Sequence, residues 1–127
     1  MINKLTSIEL FDMLSKLSDY FIIDTRTERE WSEVGYPDVK DRVLLISSHL
    51  PPDMVPNTEF LNELKNKAAN IDSNLFFICK TSGRSSIAAA AAESFGYKNC
   101  FVISDGFEGS NFGPGWKNNN LPFCYKK

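Results

Sequence analysis

Four short runs of this chain are apolar almost from end to end: YFIID (20–24), RVLLIS (42–47), NLFFIC (74–79) and NCFVIS (99–104). A strand wetted on one face alternates polar and apolar side chains, whereas a strand covered on both faces does not. The segments between these runs have helical spacing instead. TSIELFDMLSKLS (6–18) places Ile8, Leu10, Phe11, Leu14 and Leu17 along one stripe, with Thr6 and Glu9 spaced as a capping box. TEREWSEV (27–34) reads as a short helix. NTEFLNELKNKAANI (57–71) sets Phe60, Leu61 and Leu64 on one face, with Asn57 as the expected N-cap, and RSSIAAAAAESFG (84–96) reads as a helix closed by Gly96. Strands buried on both faces and separated by helices predict an α/β fold: a mostly parallel sheet flanked by helices on both faces.

With 127 residues, 43% of them hydrophobic and 24% charged, the chain is expected to form a single globular domain over 1–127. A formal net charge of −2 argues against nucleic acid as a partner, because binding phosphates needs a basic surface. No apolar run approaches the roughly 20 residues that span a bilayer, so no membrane partner is expected. MINKLTSIEL has no apolar core of an export signal, which makes the cytoplasm the expected location. Three widely spaced cysteines and one histidine, His49, cannot compose a tetrahedral zinc site. No metal and no cofactor is expected, and the odd cysteine count favours free thiols. Cys100, inside an apolar run, reads as a small buried hydrophobe, and Cys124 has no activating neighbour.

Cys79 is different. It ends a strand, and the six residues CKTSGR lead from it into the N-terminus of the next helix. Ligands of open parallel sheets bind where chain leaves the carboxyl end of a strand. Backbone N–H groups at a helix start lack intrahelical acceptors and carry the positive end of the helix dipole, so a short curved loop there makes an anion cradle. Lys80 and Arg84 add cations, Thr81, Ser82 and Ser85 add hydroxyls, and Gly83 is expected to let the backbone turn without a Cβ clash. A thiol in such a setting is expected to ionise readily and act as a nucleophile without a separate base. An ordinary strand–helix turn would not gather these groups at consecutive positions. Ala88–Ala92 read as packing residues that support the loop.

These residues resemble the rhodanese (sulfurtransferase) family, whose active loop reads C-R-x-G-x-R-S where this chain has CKTSGRS at 79–85. A second family signature, D-x-R-x-x-x-E-[FW], is matched by DTRTEREW (24–31). A third, a glycine-rich turn leading to tryptophan and then LP, is similar to DGFEGSNFGPGWKNNNLPF (105–123). The resemblance implies a five-stranded parallel sheet with a short first strand in INK (2–4). It also implies a catalytic Cys79 that takes sulfane sulfur from thiosulfate or a persulfide, holds it as a persulfide, and yields it to cyanide or a thiol. Lys80, Thr81, Ser82, Gly83, Arg84 and Ser85 would bind the anionic donor. Asp24 and Arg26 would form a pair that is structural rather than catalytic, and Glu30 and Trp31 would pack their helix. Phe107, Phe112 and Trp116 could wall the pocket or close the core. The chain departs from the pattern at Lys80, where arginine is usual, and at Ser82, where glycine is common. It also lacks the G-H-I-x-G-A segment, with VGYPDVKDRVLL in its place.

Two rivals remain at this level. A cysteine phosphatase would need H-C-x5-R-[ST], but Ile78 precedes the cysteine here and Arg84 comes one residue early. A non-catalytic or redox-sensing rhodanese-like module would keep a reactive Cys79 that an exposed position leaves open to oxidation.

Overall fold

The computed structural model of the protein describes residues 2–127. In chain order the elements are β1 (Asn3–Leu5), α1 (Ser7–Leu14), β2 (Tyr20–Asp24), α2 (Glu28–Glu33), β3 (Tyr36–Pro37), β4 (Val43–Leu45), β5 (His49–Leu50) and β6 (Val55–Pro56). They continue with α3 (Phe60–Lys67), β7 (Asn74–Ile78), α4 (Gly83–Phe95), β8 (Asn99–Ile103) and β9 (Phe123–Cys124). Five strands form one sheet in the order β1-β8-β7-β2-β4, and every pairing in it is parallel. The expected α/β fold is therefore present, including the edge strand near the N-terminus.

The sheet explains the uninterrupted apolar runs. Successive side chains of a strand point to opposite faces. Ile23, Leu75, Phe77 and Val102 enter one core with Phe60 and Leu64 of α3 and Ala88, Ala89 and Ala92 of α4. Ile22, Phe76, Ile78 and Ile103 enter the other, with Leu10 of α1, Phe107 and Trp116. Because both faces are covered, a polar residue in the middle of β7 would be buried on either side. The alanines of α4 lack bulk, so the helix lies close on the sheet and its start is fixed relative to the end of β7.

Capping is local where the chain can supply it. Thr6 and Glu9 form the expected capping box on α1, and Thr27 with Glu30 forms a second on α2. At α3 the expectation fails by two residues: the cap position is Glu59, and Asn57 Oδ1 instead accepts the Glu59 N–H at 3.0 Å as a turn ahead of the helix. Asn57 is held there because its side-chain amide donates to the Ser47 carbonyl at 2.9 Å. Two antiparallel pairs, β3 with β9 and β5 with β6, were not expected from the sequence. Among the described residues no helix is long and apolar enough to cross a membrane.

One buried carboxylate joins the two ends of the fold. Asp105, fully buried just after β8, accepts the Ser7 N–H at 2.8 Å, the Ser7 hydroxyl at 2.9 Å and the Gly115 N–H at 3.0 Å. Ser7 opens α1, so the carboxylate also faces the positive end of a helix. Removing it strands three donors in the interior. Asp105→Ala is expected to lower stability by about 3 kcal/mol, read as a lower urea midpoint at unchanged slope; a change under about 1 kcal/mol would contradict this role.

Candidate active site

Strand β7 ends at Ile78, and Cys79 is the first residue beyond it. The chain then turns through 80–82 and enters α4 at Gly83. What shapes this turn lies elsewhere in the sequence. The Phe107 N–H donates to the Cys79 carbonyl at 2.8 Å, and the Glu108 N–H donates to the Lys80 carbonyl at 3.1 Å. Carbonyl and N–H of one peptide unit point in opposite directions. Drawing those two carbonyls outward therefore turns the N–H groups of Lys80 and Thr81 the other way. Among the described residues no backbone carbonyl accepts from the N–H groups of Lys80, Thr81, Ser82, Gly83 or Arg84. The loop thus carries a run of uncommitted donors, next to the positive end of the 13-residue α4.

The glycine that makes this possible is Gly106. Its φ is +63°, and a Cβ there would sit 2.2 Å from the Thr81 carbonyl oxygen and 2.5 Å from that of Lys80. Gly83, expected to relieve strain in the loop, does not: it is the first residue of α4, and a Cβ on it would meet nothing within 4 Å. The backbone tightness lies in the turn behind the loop rather than in the loop itself.

The sulfur sits inside this turn. Cys79 is only 1% exposed. The loop and the start of α4 close over it. Sγ accepts the Ser85 N–H at 3.3 Å and lies 3.3 Å from Ser85 Oγ, to which the thiol donates. The Ser85 hydroxyl in turn donates to the Ser82 carbonyl at 3.0 Å. When the thiol proton leaves, that hydroxyl can rotate toward the sulfur and add a second donor to the Ser85 N–H.

The two cations of the loop are not equivalent. Lys80 is exposed and has no carboxylate partner among the described residues. Arg84 is engaged: its Nη1 and Nη2 donate to Glu30 Oε1 and Oε2 at 2.7 and 3.0 Å, a fork-to-fork pair. Burial alone would raise the Glu30 pKa, but the hydrogen bonds and charge of Arg84, with help from the Thr27 N–H and Arg26, leave it lowered. The Arg84 pKa is raised, chiefly by Glu30. A depressed carboxylate contributes stability above its unfolded value, near 4.5, and loses it as pH falls through the lower folded value. The pair is therefore intact at neutral pH. Glu30, expected only to pack its helix, both caps α2 and holds the loop arginine.

Asp24 and Arg26 form the expected structural pair. Both are fully buried, with Arg26 Nε and Nη2 donating to the Asp24 carboxylate at 3.0 and 2.7 Å. Arg26 lies 4.2 Å from the centroid of the Phe107 ring, so it backs the residue that fixes the Cys79 carbonyl. Phe107 and Trp116 are core residues with no exposure, whereas Phe112 is 62% exposed and lies outside the core. Cys100 is a buried thiol that burial and the Glu93 carboxylate push up to about 11.

Gly106→Ala forces a side chain into the carbonyls of Lys80 and Thr81. It is expected to cost about 2 kcal/mol or more and to change the alkylation rate of Cys79 by iodoacetamide, followed by peptide mapping, while Cys100 stays inert. Wild-type Cys79 kinetics in this variant would show that the turn does not shape the loop.

The family model described as the STR4 middle domain matches residues 4–127. An uncharacterized protein of Rickettsia prowazekii is 41% identical over 127 residues, covering 98% of this chain and 99% of its relative. Among solved structures, Rv0390 from M. tuberculosis superposes with a TM-score of 0.83 at 29% identity, covering 98% of both chains. The polysulfide-sulfur transferase homodimer of Wolinella succinogenes superposes with a TM-score of 0.75 at 20% identity, over 99% of this chain and 80% of that one. With its parallel five-stranded sheet and a cysteine loop between β7 and α4, the chain belongs to the STR4 middle domain family and has the rhodanese-like fold.

Proposed function

We propose that this protein is a sulfurtransferase that carries sulfane sulfur on Cys79. The observation that carries the reading is the setting of Sγ: a buried sulfur at a strand end, facing the Ser85 N–H, in a loop whose other N–H groups lack backbone acceptors. Such a site stabilises negative charge on sulfur without a titratable base. In the first half-reaction the Cys79 thiolate attacks the outer sulfur of the donor. The donor S–S bond breaks, the leaving sulfite or thiolate takes the electron pair, and Cys79 becomes a persulfide. In the second, cyanide or a thiolate attacks the outer sulfur, and Cys79 departs as thiolate. Each half is a substitution at sulfur with no net oxidation.

Lys80 is the cation left to attract an anionic donor, and the N–H groups of 80–85 hold it. The donor-binding role of Arg84 is modified by Glu30, which occupies its fork. This favours donors that present sulfur to backbone N–H groups, such as a persulfide or polysulfide, over an oxyanion that needs a guanidinium. Sulfur transfer from polysulfide by the Wolinella protein of the same fold points the same way.

Cys79→Ser is expected to abolish thiocyanate formation from thiosulfate and cyanide while keeping the wild-type melting curve; the wild type should give parallel double-reciprocal lines. Residual turnover in Cys79→Ser would place the chemistry elsewhere. Glu30→Gln keeps the helix cap, since glutamine serves in a capping box, and frees the fork. It is expected to lower KM for thiosulfate roughly three- to tenfold; an unchanged KM would mean that Glu30 does not govern donor choice.

A further inference from the structure

A cavity of about 290 Å³ opens between α4, the start of α3 and the β5–β6 hairpin. Its walls include His49, Pro56, Phe60, Leu61, Ile87 and Ala91, and no Asp, Glu, Lys or Arg lines it. On α4, Ile87, Ala88 and Ala91 stand three, four and seven residues after Arg84, so they continue the helix face that begins at the loop. The opposite wall is fixed to the strand ends next to Cys79. The Ser48 N–H donates to the Thr25 carbonyl at 3.0 Å, and the Thr25 hydroxyl donates to the carbonyl of Ile78 at 3.1 Å. Counting strands from β7 through β2 to β4 puts the end of β4 two spacings, roughly 10 Å, from the end of β7, and Ser48 of the cavity wall lies three residues beyond β4.

Two features select the occupant. The absence of charged walls disfavours a charged group, since Ser48, His49, Asn57 and Thr58 supply polar contacts but no carboxylate, ammonium or guanidinium to offset its desolvation. In the hairpin, His49 pairs with Pro56 and Leu50 with Val55. His49 and Pro56 line the cavity, and alternation turns the exposed Leu50 and Val55 away from it. The cavity is thus a small pocket near the lower end of the roughly 300–1,000 Å³ usual for small-molecule sites, not part of a broad apolar surface. A larger groove, bordered by Asp12, Lys40, Asp41 and Arg42, has charged walls instead.

We propose that this cavity binds the uncharged organic tail of a small thiol, and of the corresponding persulfide, while its sulfur reaches Cys79. The inference rests on the sulfurtransferase reading for its second half. The thiolate of the bound molecule attacks the outer sulfur of the Cys79 persulfide, the enzyme S–S bond breaks, and Cys79 leaves as thiolate. The product is the organic persulfide, and the reverse loads the enzyme with no oxidant or reductant.

The test has a binding arm and a transfer arm. Dibutyl sulfide, uncharged and unable to accept sulfane sulfur, is titrated into ¹⁵N-labelled protein. Saturable amide shifts centred on His49, Leu61, Ile87 and Ala91 are expected, and they should vanish in Ala91→Phe, which fills the cavity. Ile87→Glu, at a position 60% exposed, places a charge at the mouth and serves if the first variant does not fold. With 1-hexanethiol as acceptor, the ratio of hexanethiol to cyanide turnover is expected to fall about tenfold in either variant, the scale of losing an apolar pocket. Absence of saturable shifts at these amides overturns the proposal. Shifts without transfer to any acceptor, cyanide included, uphold the cavity as a binding site and overturn the sulfurtransferase reading instead. An unchanged turnover ratio alongside normal transfer to cyanide overturns the tail's part in catalysis.

Discussion

Two backbone hydrogen bonds set the chemistry of this fold: Phe107 N–H to the Cys79 carbonyl and Glu108 N–H to the Lys80 carbonyl. They lie outside the β7–β8 pairing and tie the cysteine loop to the turn after β8. With its first carbonyls held from behind, the loop presents N–H groups in front. The turn itself is held in sequence by Asp105, which binds the start of α1 and Gly115, and by the Trp116 N–H on the Gly106 carbonyl at 2.9 Å. Gly106 is the position where any side chain would push loop and turn apart. Backbone and hydroxyl dipoles therefore stand closest to the sulfur, beside the charge of Arg84.

The ion pairs confirm that division of labour. Arg26 is neutralised by Asp24 in the interior and lies against Phe107, so its charge serves the frame. Arg84 is neutralised by Glu30 at half-buried positions, so its charge fixes where α4 begins relative to α2. Of the loop's two cations, Lys80 is the one that faces solvent without a carboxylate among the described residues. The loop thus combines one exposed cation with a fixed donor, the Ser85 N–H, at the sulfur.

The central architecture was legible because burial on both faces leaves an unmistakable imprint: β2, β7 and β8 are apolar at every interior position and divide residue by residue between two cores. The place of Cys79 followed from that pattern, since a strand end before a helix is where such sheets bind ligands. The contacts that shape the site did not follow. Glu30 meets Arg84 across 54 residues of chain, and Glu30 already had a complete local explanation as a helix cap. Gly83 drew attention because it lies in the loop, while Gly106, 23 positions further on, carries the steric constraint. The two-residue strands of the β3–β9 and β5–β6 pairs are too short to show any period. Asn57 looked like a cap because its type is right, and a long-range bond to Ser47 places it two residues ahead of the cap position.

The central proposal is that this loop holds a sulfur that carries another sulfur. The most direct measurement is the intact mass of the protein before and after incubation with thiosulfate or an organic persulfide, and again after cyanide. A gain of about 32 Da, one sulfur atom, that maps to Cys79 and is removed by cyanide is the predicted result. A protein that gains no sulfur from either donor, or gains it on Cys100 or Cys124 instead, would contradict the claim that this loop exists to stabilise a persulfide.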